Sequence, residues 1–235
     1  GDMSWQELDI AEDTDQTFAQ ARSTESAQGT FPWLTIASGI SDTQGFFHWE
    51  LDFAPAFSHG GFDLQVGNPP WVRPDWDEAG VLAEFDPWWQ LADRPAEATK
   101  RLIHQTAIAD AHVLSVLLQE RSIQAGTRQQ LSSAIDHPAL AGLQPDLYRC
   151  FMERSWNSMS KSGVIGLIHP ESHFSEPRAK YLRRESYKRL RRHWHFKNHT
   201  YIFPEISDKR DFGIHIYSTP RSEISFRQAS WIYHP

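Results

Sequence analysis

Asn68, Pro69, Pro70 and Trp71 are the residues of this 235-residue chain whose types and order best support chemistry. Pro69 and Pro70 fix their own φ, bring no N–H donors, and hold Asn68 and Pro69 extended. The loop therefore turns its carbonyl groups outward and has little freedom to relax. A side-chain amide opens it and an indole closes it, a combination suited to gripping a planar amine. Without that chemistry the same residues read as a Pro-rich turn at a strand end, for which Asn-Pro is a common signal.

A second candidate is electrostatic. Arg178, Lys180, Arg183, Arg184, Lys188, Arg189, Arg191 and Arg192 crowd 15 residues, with only Glu185 against them. Neutralising phosphates needs such clustering, whereas most charge runs are solvated helix faces. The net charge of −7 hides an asymmetry: residues 1–100 carry 18 acids and 4 bases, residues 101–235 carry 12 acids and 19 bases. The second half concentrates positive charge where it could meet a polyanion.

Other classes are disfavoured. The twelve His are scattered and no Cys/His group has zinc spacing, so no metal is expected. The single Cys150 excludes an internal disulfide and fits a reducing cytoplasm. No apolar run approaches a membrane span, and there is no basic-then-apolar leader, so no membrane partner is expected. No Asp is followed by a Glu-x-Lys strand, which leaves the chain without a nuclease constellation.

The elements that must position these residues follow from the apolar pattern. Phe62, Leu64 and Val66 alternate with Asp63 and Gln65 between Gly61 and Gly67, a short buried strand ending in the Asn68 loop. Residues 164–168 form a continuous apolar strand ending at Pro170, of the kind buried on both faces of a parallel sheet. A long helical excursion between them, about 75–160, makes a βαβ arrangement. Within it the spacing predicts helices over 99–119, 128–135 and from Pro145 to about 159, the last with Leu147, Tyr148, Phe151 and Ser155 inward. The Trp-rich loop after Trp71 should be ordered, because Trp76, Trp88 and Trp89 need cover. Further on, a helix is expected over 178–194, antiparallel strands over 196–203 and 212–217 around a loop with Asp208-Lys209-Arg210-Asp211 at its tip, and a strand over 224–232. Before the organising strand, residues 1–30 read as a loosely held acidic lead-in with helical character at 15–22. Residues 31–36 and 46–53 read as strands, the latter beside the organising strand.

Together these residues resemble an Asn-Pro-Pro-Trp type of S-adenosylmethionine-dependent DNA adenine-N6 methyltransferase, within the large bacterial restriction–modification and phage-defence enzymes. The resemblance is carried by Phe47-His48-Trp49-Glu50 with Phe53 and Phe57, by the strand and loop from Phe62 to Trp71, by Asp146-Leu147-Tyr148, by the strand from Gly163 to Pro170, and by Phe203-Pro204. It covers roughly residues 45–218. It implies an α/β fold, a partial doubly wound, Rossmann-like sheet with a helical insertion and a late β-hairpin. Asn68 and Pro69 would hold the adenine amine on the rigid Pro70 step, Trp71 would stack on the flipped base, and Phe203 would form a second aromatic wall. Arg73 would meet a phosphate beside that nucleotide, and Arg183, Arg184, Lys188, Arg191 and Arg192 would hold DNA. Pro170 and His173-Phe174, after the second apolar strand, lie where open α/β sheets place ligand contacts.

The same family carries a Phe-x-Gly-x-Gly-like loop after its first strand and an acid after its second. Here Gly39 and Gly45 are too far apart, and Gly60-Gly61 precedes a strand. The resemblance therefore implies a C-terminal half, with an incomplete S-adenosyl-L-methionine site and the remaining N-terminal part of a parent protein as partner. Two alternatives stay open: a methyltransferase acting on RNA or a protein glutamine amide, and a non-catalytic DNA-binding or assembly module.

Overall fold

The apolar run at 164–168 forms the centre of a longer strand, β2 (Met159–Pro170), and the sheet is built outward from it. The computed structural model describes residues 27–29, 31–93, 95–204 and 207–233. On one side β2 pairs in parallel with β1 (Phe62–Gly67), setting Gly67 opposite Leu167. On the other it pairs antiparallel with β4 (Asp211–Tyr217), which pairs antiparallel with β3 (Leu190–Lys197). β5 (Arg227–Ile232) adds in parallel to β3, giving the order β1-β2-β4-β3-β5. The protein is thus α/β, with a mixed sheet of five strands among the described residues. The parallel pair across a helical excursion forms as the pattern predicts, as does the strand at 212–217. The strand expected over 224–232 forms only at Arg227–Ile232, and the one expected over 196–203 is shifted to Leu190–Lys197, with Asn198–Thr200 a 3-10 turn.

Chain contacts divide the protein into two compact units, residues 1–54 and 55–235. In the first, the strand expected at 31–36 is instead the start of helix α1 (Pro32–Gln44). Pro32 sits at the first helical position, where its missing N–H costs nothing, and Gly45 closes the helix at φ 60°, donating to the Ser41 carbonyl. The strand expected at 46–53 is also replaced: α2 (Trp49–Asp52) forms there, with the Asp52 carboxylate accepting from the His48 N–H at 2.9 Å. The alternation that suggested a strand is a local aromatic cluster, Phe47 against Trp49 and Phe53. The acidic lead-in expected over 1–30 lies, except for 27–29, outside the described residues.

α3 (Ala54–Ser58), which starts at the last residue of the first unit, leads to β1 in the second. Gly61 adopts φ 111°, and a Cβ there would lie 2.5 Å from the Ser158 carbonyl oxygen, so the close approach of the two chain segments depends on glycine. β1 is not the buried strand the pattern suggested. Leu64 and Val66 are 66% and 78% exposed, because they point to the face of the sheet opposite the one where Gln65 reaches Ser155 of the helix after residue 146.

The Trp-rich loop is ordered, as its indoles require. It holds α4 (Glu78–Ala83), capped by the Asp77 carboxylate, and α5 (Trp88–Leu91). Leu82 and Trp89 form a small core with Val113 and Leu117, flanked by Trp76, Trp88 and Ile103. The helix expected over 99–119 is two helices, α6 (Glu97–Ile108) and α7 (Ala111–Leu131). Asp110 starts the second by accepting from the His112 and Val113 N–H groups, an N-cap strong enough to break a continuous apolar stripe. The separate helix expected at 128–135 does not form: residues 128–131 are the tail of α7, and 132–135 lie beyond its end, with Ser132 as the cap.

α8 (Leu147–Asn157) covers one face of the sheet. Tyr148, Met152 and Trp156 pack with Ile165 and Leu167 of β2, Tyr217 of β4, Leu190, and Leu182 of α10 (Lys180–Arg189). The buried arc is centred one residue beyond expectation: Met152 is wholly buried while Phe151 is 43% exposed. The helix expected over 178–194 ends at Arg189, and residues 190–197 become β3. His193, Trp194, His195 and Phe196 are poor helix formers that fit a pleated surface, and β4 offers their backbone a complete ladder. α9 (Ser172–Ser175) links β2 to this region.

Truncating the buried and the exposed side chain of α8 separates the two registers. Met152→Ala should lower unfolding free energy by about 2–5 kcal/mol in denaturant titration, and Phe151→Ala by roughly 1 kcal/mol or less. Equal losses would reject this packing.

Candidate functional site

The Asn68 loop leaves the carboxyl end of β1 beside Leu167 of β2. Asn68 and Pro70 are exposed, Pro69 is buried and Trp71 is half-buried. The Trp71 Nε1–H donates to the Ile168 carbonyl at 3.2 Å. Its ring meets Phe203 at 5.2 Å and 64°, and Phe212 at 5.9 Å and 36°. Phe212 in turn stacks on Phe196 at 5.3 Å and 6°. The structure thus brings together Trp71 and Phe203, which the sequence separates widely, and adds Phe212, whose signal was its place in the alternation of β4.

Phe203 is held by a residue the sequence did not announce. Asn198 is wholly buried, and its amide spans the Phe203 backbone: Nδ2 donates to the Phe203 carbonyl and Oδ1 accepts from the Phe203 N–H, each at 3.0 Å. An isolated Asn after a strand carries no pattern that predicts this clamp.

Beyond Trp71 the loop is stitched to the start of α8. The Val72 carbonyl accepts from the Leu147 N–H at 3.0 Å. Arg73 stays more than half exposed and reaches Gln144 at 3.4 Å and Asp146 at 3.9 Å. Burial pushes the Asp146 carboxyl above its ordinary range, opposed by the charges of Arg149 and Arg73.

The basic run does not form one face, because it crosses from α10 into β3. Arg183 donates to the Phe174 and Glu176 carbonyls. Arg191 donates to the carbonyls of Lys188, Arg189, Leu190 and Thr219. Both guanidiniums therefore close the chain on itself. Arg184 and Lys188 pair with Glu185, as does Arg189, which also lies over Trp156. Arg192 is exposed on β3.

Pro170, His173 and Phe174 fall on a buried polar face of the sheet that spacing did not reveal. Arg149, 3% exposed, binds the Tyr148 hydroxyl at 3.0 Å and Glu176 at 2.5 Å. Burial opposes its charge, but Tyr148 and Glu176 outweigh burial and raise its pKa. His169 Nδ1 faces the Pro170 carbonyl and Nε2 the Tyr217 hydroxyl, both at 3.0 Å. The carbonyl can only accept, so the neutral ring donates from Nδ1 and accepts at Nε2. Burial pushes its pKa down to about 3 and those of His173 and His215 well below the ordinary value.

No protein-family model matches the chain, and no curated protein matches it.

What this loop can do is set by its geometry. Asn68 is exposed, and its amide oxygen can accept an N–H bond. Pro69 is buried rather than turned outward as expected, so its carbonyl can serve as a second acceptor only to a planar amine entering against the loop. Trp71 follows, in contact with Phe203 and Phe212. The residues around Asn68 do not by themselves fit an S-adenosyl-L-methionine pocket. The outer side of β1 carries no further strand among the described residues, and no glycine loop follows any of the five strands.

Removing the clamp tests the site's construction. Asn198→Ala should cost about 1–3 kcal/mol, the penalty for stranding buried partners, and should speed amide hydrogen exchange at Phe203 more than at β2. Unchanged exchange at Phe203 would show that Asn198 does not fix this wall.

Proposed function

We propose that the chain supplies the base-holding part of a DNA adenine-N6 methyltransferase, acting within a larger protein of the restriction–modification or phage-defence kind. The observation that carries this reading is the placement of Asn68-Pro69-Pro70-Trp71 at the carboxyl end of a parallel strand, with Trp71 against Phe203. The adenine amino lone pair is delocalised into its ring and is a poor nucleophile. Asn68 Oδ1 and the Pro69 carbonyl hold both amino hydrogens, which rehybridises the nitrogen, and the Pro69-Pro70 step keeps the two acceptors preorganised. A base extruded from the duplex stacks on the accessible part of Trp71, whose ring Phe203 and Phe212 brace by direct contact. Arg73 is exposed two residues beyond the stacking ring, suited to the adjoining phosphate, and Arg184, Lys188 and Arg192 extend positive charge on α10 and β3.

The methyl donor belongs to the remaining part of the parent protein on this reading, since no glycine loop follows a strand among the described residues. The exposed Leu64 and Val66 of β1 support a covering layer on that face of the sheet in that parent, as a doubly wound fold requires.

In the parent protein, Asn68→Ala should reduce methyl incorporation into duplex DNA by about 10²–10³-fold or more while DNA affinity is kept. Retained activity would remove Asn68 from the amine grip. Offering labelled methyl donor with DNA, RNA and protein substrates in parallel decides the substrate class, and label in protein alone would reject the DNA reading. Replacing Arg184, Lys188 and Arg192 together by Gln should lower the slope of log affinity against log salt by about 0.9 for each phosphate no longer neutralised. An unchanged slope would place the DNA-binding surface elsewhere.

A further inference from the structure

Three side chains from separate elements converge on the buried polar face of the sheet. Glu171 follows the end of β2, His193 lies on β3 and His215 on β4, and one ligand-capable atom from each lies within 4.8 Å of the others. Glu171 Oε1 is 2.6 Å from His193 Nε2 and 3.6 Å from His215 Nε2. His193 and His215 face one another in register on neighbouring strands, so their rings leave the same side of the sheet and stack at 4.7 Å and 18°. Glu171 reaches them across Gly213, whose place no residue with a Cβ could take without striking Glu171 Oε1. Its backbone N–H is tied to the Asp211 carbonyl at 3.4 Å, which fixes the carboxylate over β4.

His215 is the observation that asks for a ligand. It is wholly buried, and neither ring nitrogen has a hydrogen-bond partner. The Gly213 backbone is a polar neighbour of the ring, but it lies outside hydrogen-bonding geometry. Native proteins rarely leave a buried polar group unpaired. Its neighbour His169, stacked on the other side at 3.7 Å and 5°, shows the contrast. Both nitrogens of His169 are engaged, by Pro170 and Tyr217, so His169 is not free to ligate.

We propose that Glu171, His193 and His215 form a binding site for a divalent first-row transition-metal ion of the zinc class, joining the segment after β2 to β3 and β4. Two imidazoles and one carboxylate are the donor set such ions take, whereas magnesium and calcium prefer all-oxygen sets. Ligand distances of about 2.0–2.1 Å around a tetrahedral ion place donor atoms roughly 3.4 Å apart. The His215–Glu171 separation is already close to that, and the His193–Glu171 pair must open modestly. Glu171 is the more exposed of the three, with 17% of its side-chain surface accessible, so further coordination positions face the side from which water arrives. This site stands independently of the methyl-transfer reading.

The test uses the 235-residue chain, stripped with a chelator and titrated with Zn²⁺ or Co²⁺ alone, with metal content measured after desalting. One ion per chain is expected, with a visible Co²⁺ spectrum of imidazole–carboxylate ligation and a rise in unfolding temperature on adding Zn²⁺. His215→Phe keeps an aromatic ring in the stack and removes the nitrogen. Glu171→Gln keeps a hydrogen-bonding group beside His193 and sits at a partly exposed position, so it decides the matter even if His215→Phe does not fold. Each should weaken binding at least tenfold, while His59→Gln, outside the cluster, leaves it unchanged. Absence of stoichiometric metal in the unaltered chain, or unaltered binding in folded Glu171→Gln, would overturn the proposal.

Discussion

The parallel pairing of β1 with β2 is the constraint on which the rest of the second unit depends. It joins segments about a hundred residues apart and sets Gly67 beside Leu167, so that two chain segments leave the sheet at the same end. One is the Asn68 loop; the other is Pro170 with Glu171 and α9. Without that register, Trp71 could not donate to Ile168 or meet Phe212, and the loop would be a turn with no wall behind it. The pairing also depends on its amino end, where Gly61 lets the backbone approach Ser158 closely. A parallel ladder needs a long connection to close, and here the connection is the helical layer containing the small Leu82–Leu117 core and α8.

That layer meets a sheet whose buried face is unusually polar. β2, β4 and β3 contribute His169, His215 and His193, and α9 adds His173, all buried. Burial, reinforced by the neighbouring imidazoles, holds the pKa values of His169, His173 and His215 below the ordinary value. Rings on neighbouring strands can stack, and they do so from Tyr148 through His169 and His215 to His193. The stack carries aromatic packing across the sheet. It also places one carboxylate, Glu171, among imidazoles that have no solvent to turn to. The same burial explains why Arg149 needs both Tyr148 and Glu176, since an unpaired guanidinium at 3% exposure would be costly.

The basic run shows how a count of charges differs from a surface. Eight bases in fifteen residues suggest one helical face. The chain leaves the helix at Arg189, and two of the eight, Arg183 and Arg191, satisfy backbone carbonyls at the ends of elements. The helix-to-strand change comes from the ladder offered by β4. A sequence window cannot contain it, because the partner strand lies some twenty residues downstream.

By itself the sequence determined the parts whose cause is local. The stiffness of Asn68-Pro69-Pro70 follows from proline geometry. The strands at 62–66, 164–168 and 212–217 follow from short apolar runs between breakers, and the order of the Trp-rich loop follows from the cost of exposing indoles. Segments with competing local signals were misread. Residues 31–36 and 46–53 are apolar enough for strands, but Pro32, Gly45 and Asp52 favour helical ends there. Only the tertiary structure decided which side chains meet. Strand register brought Trp71 to Phe203, set Asn198 where its amide clamps the Phe203 backbone, and gathered Glu171, His193 and His215 from positions without recognisable spacing. Side chains find their partners across the sheet, and cross-strand register is a property of paired backbones that no single stretch of sequence contains.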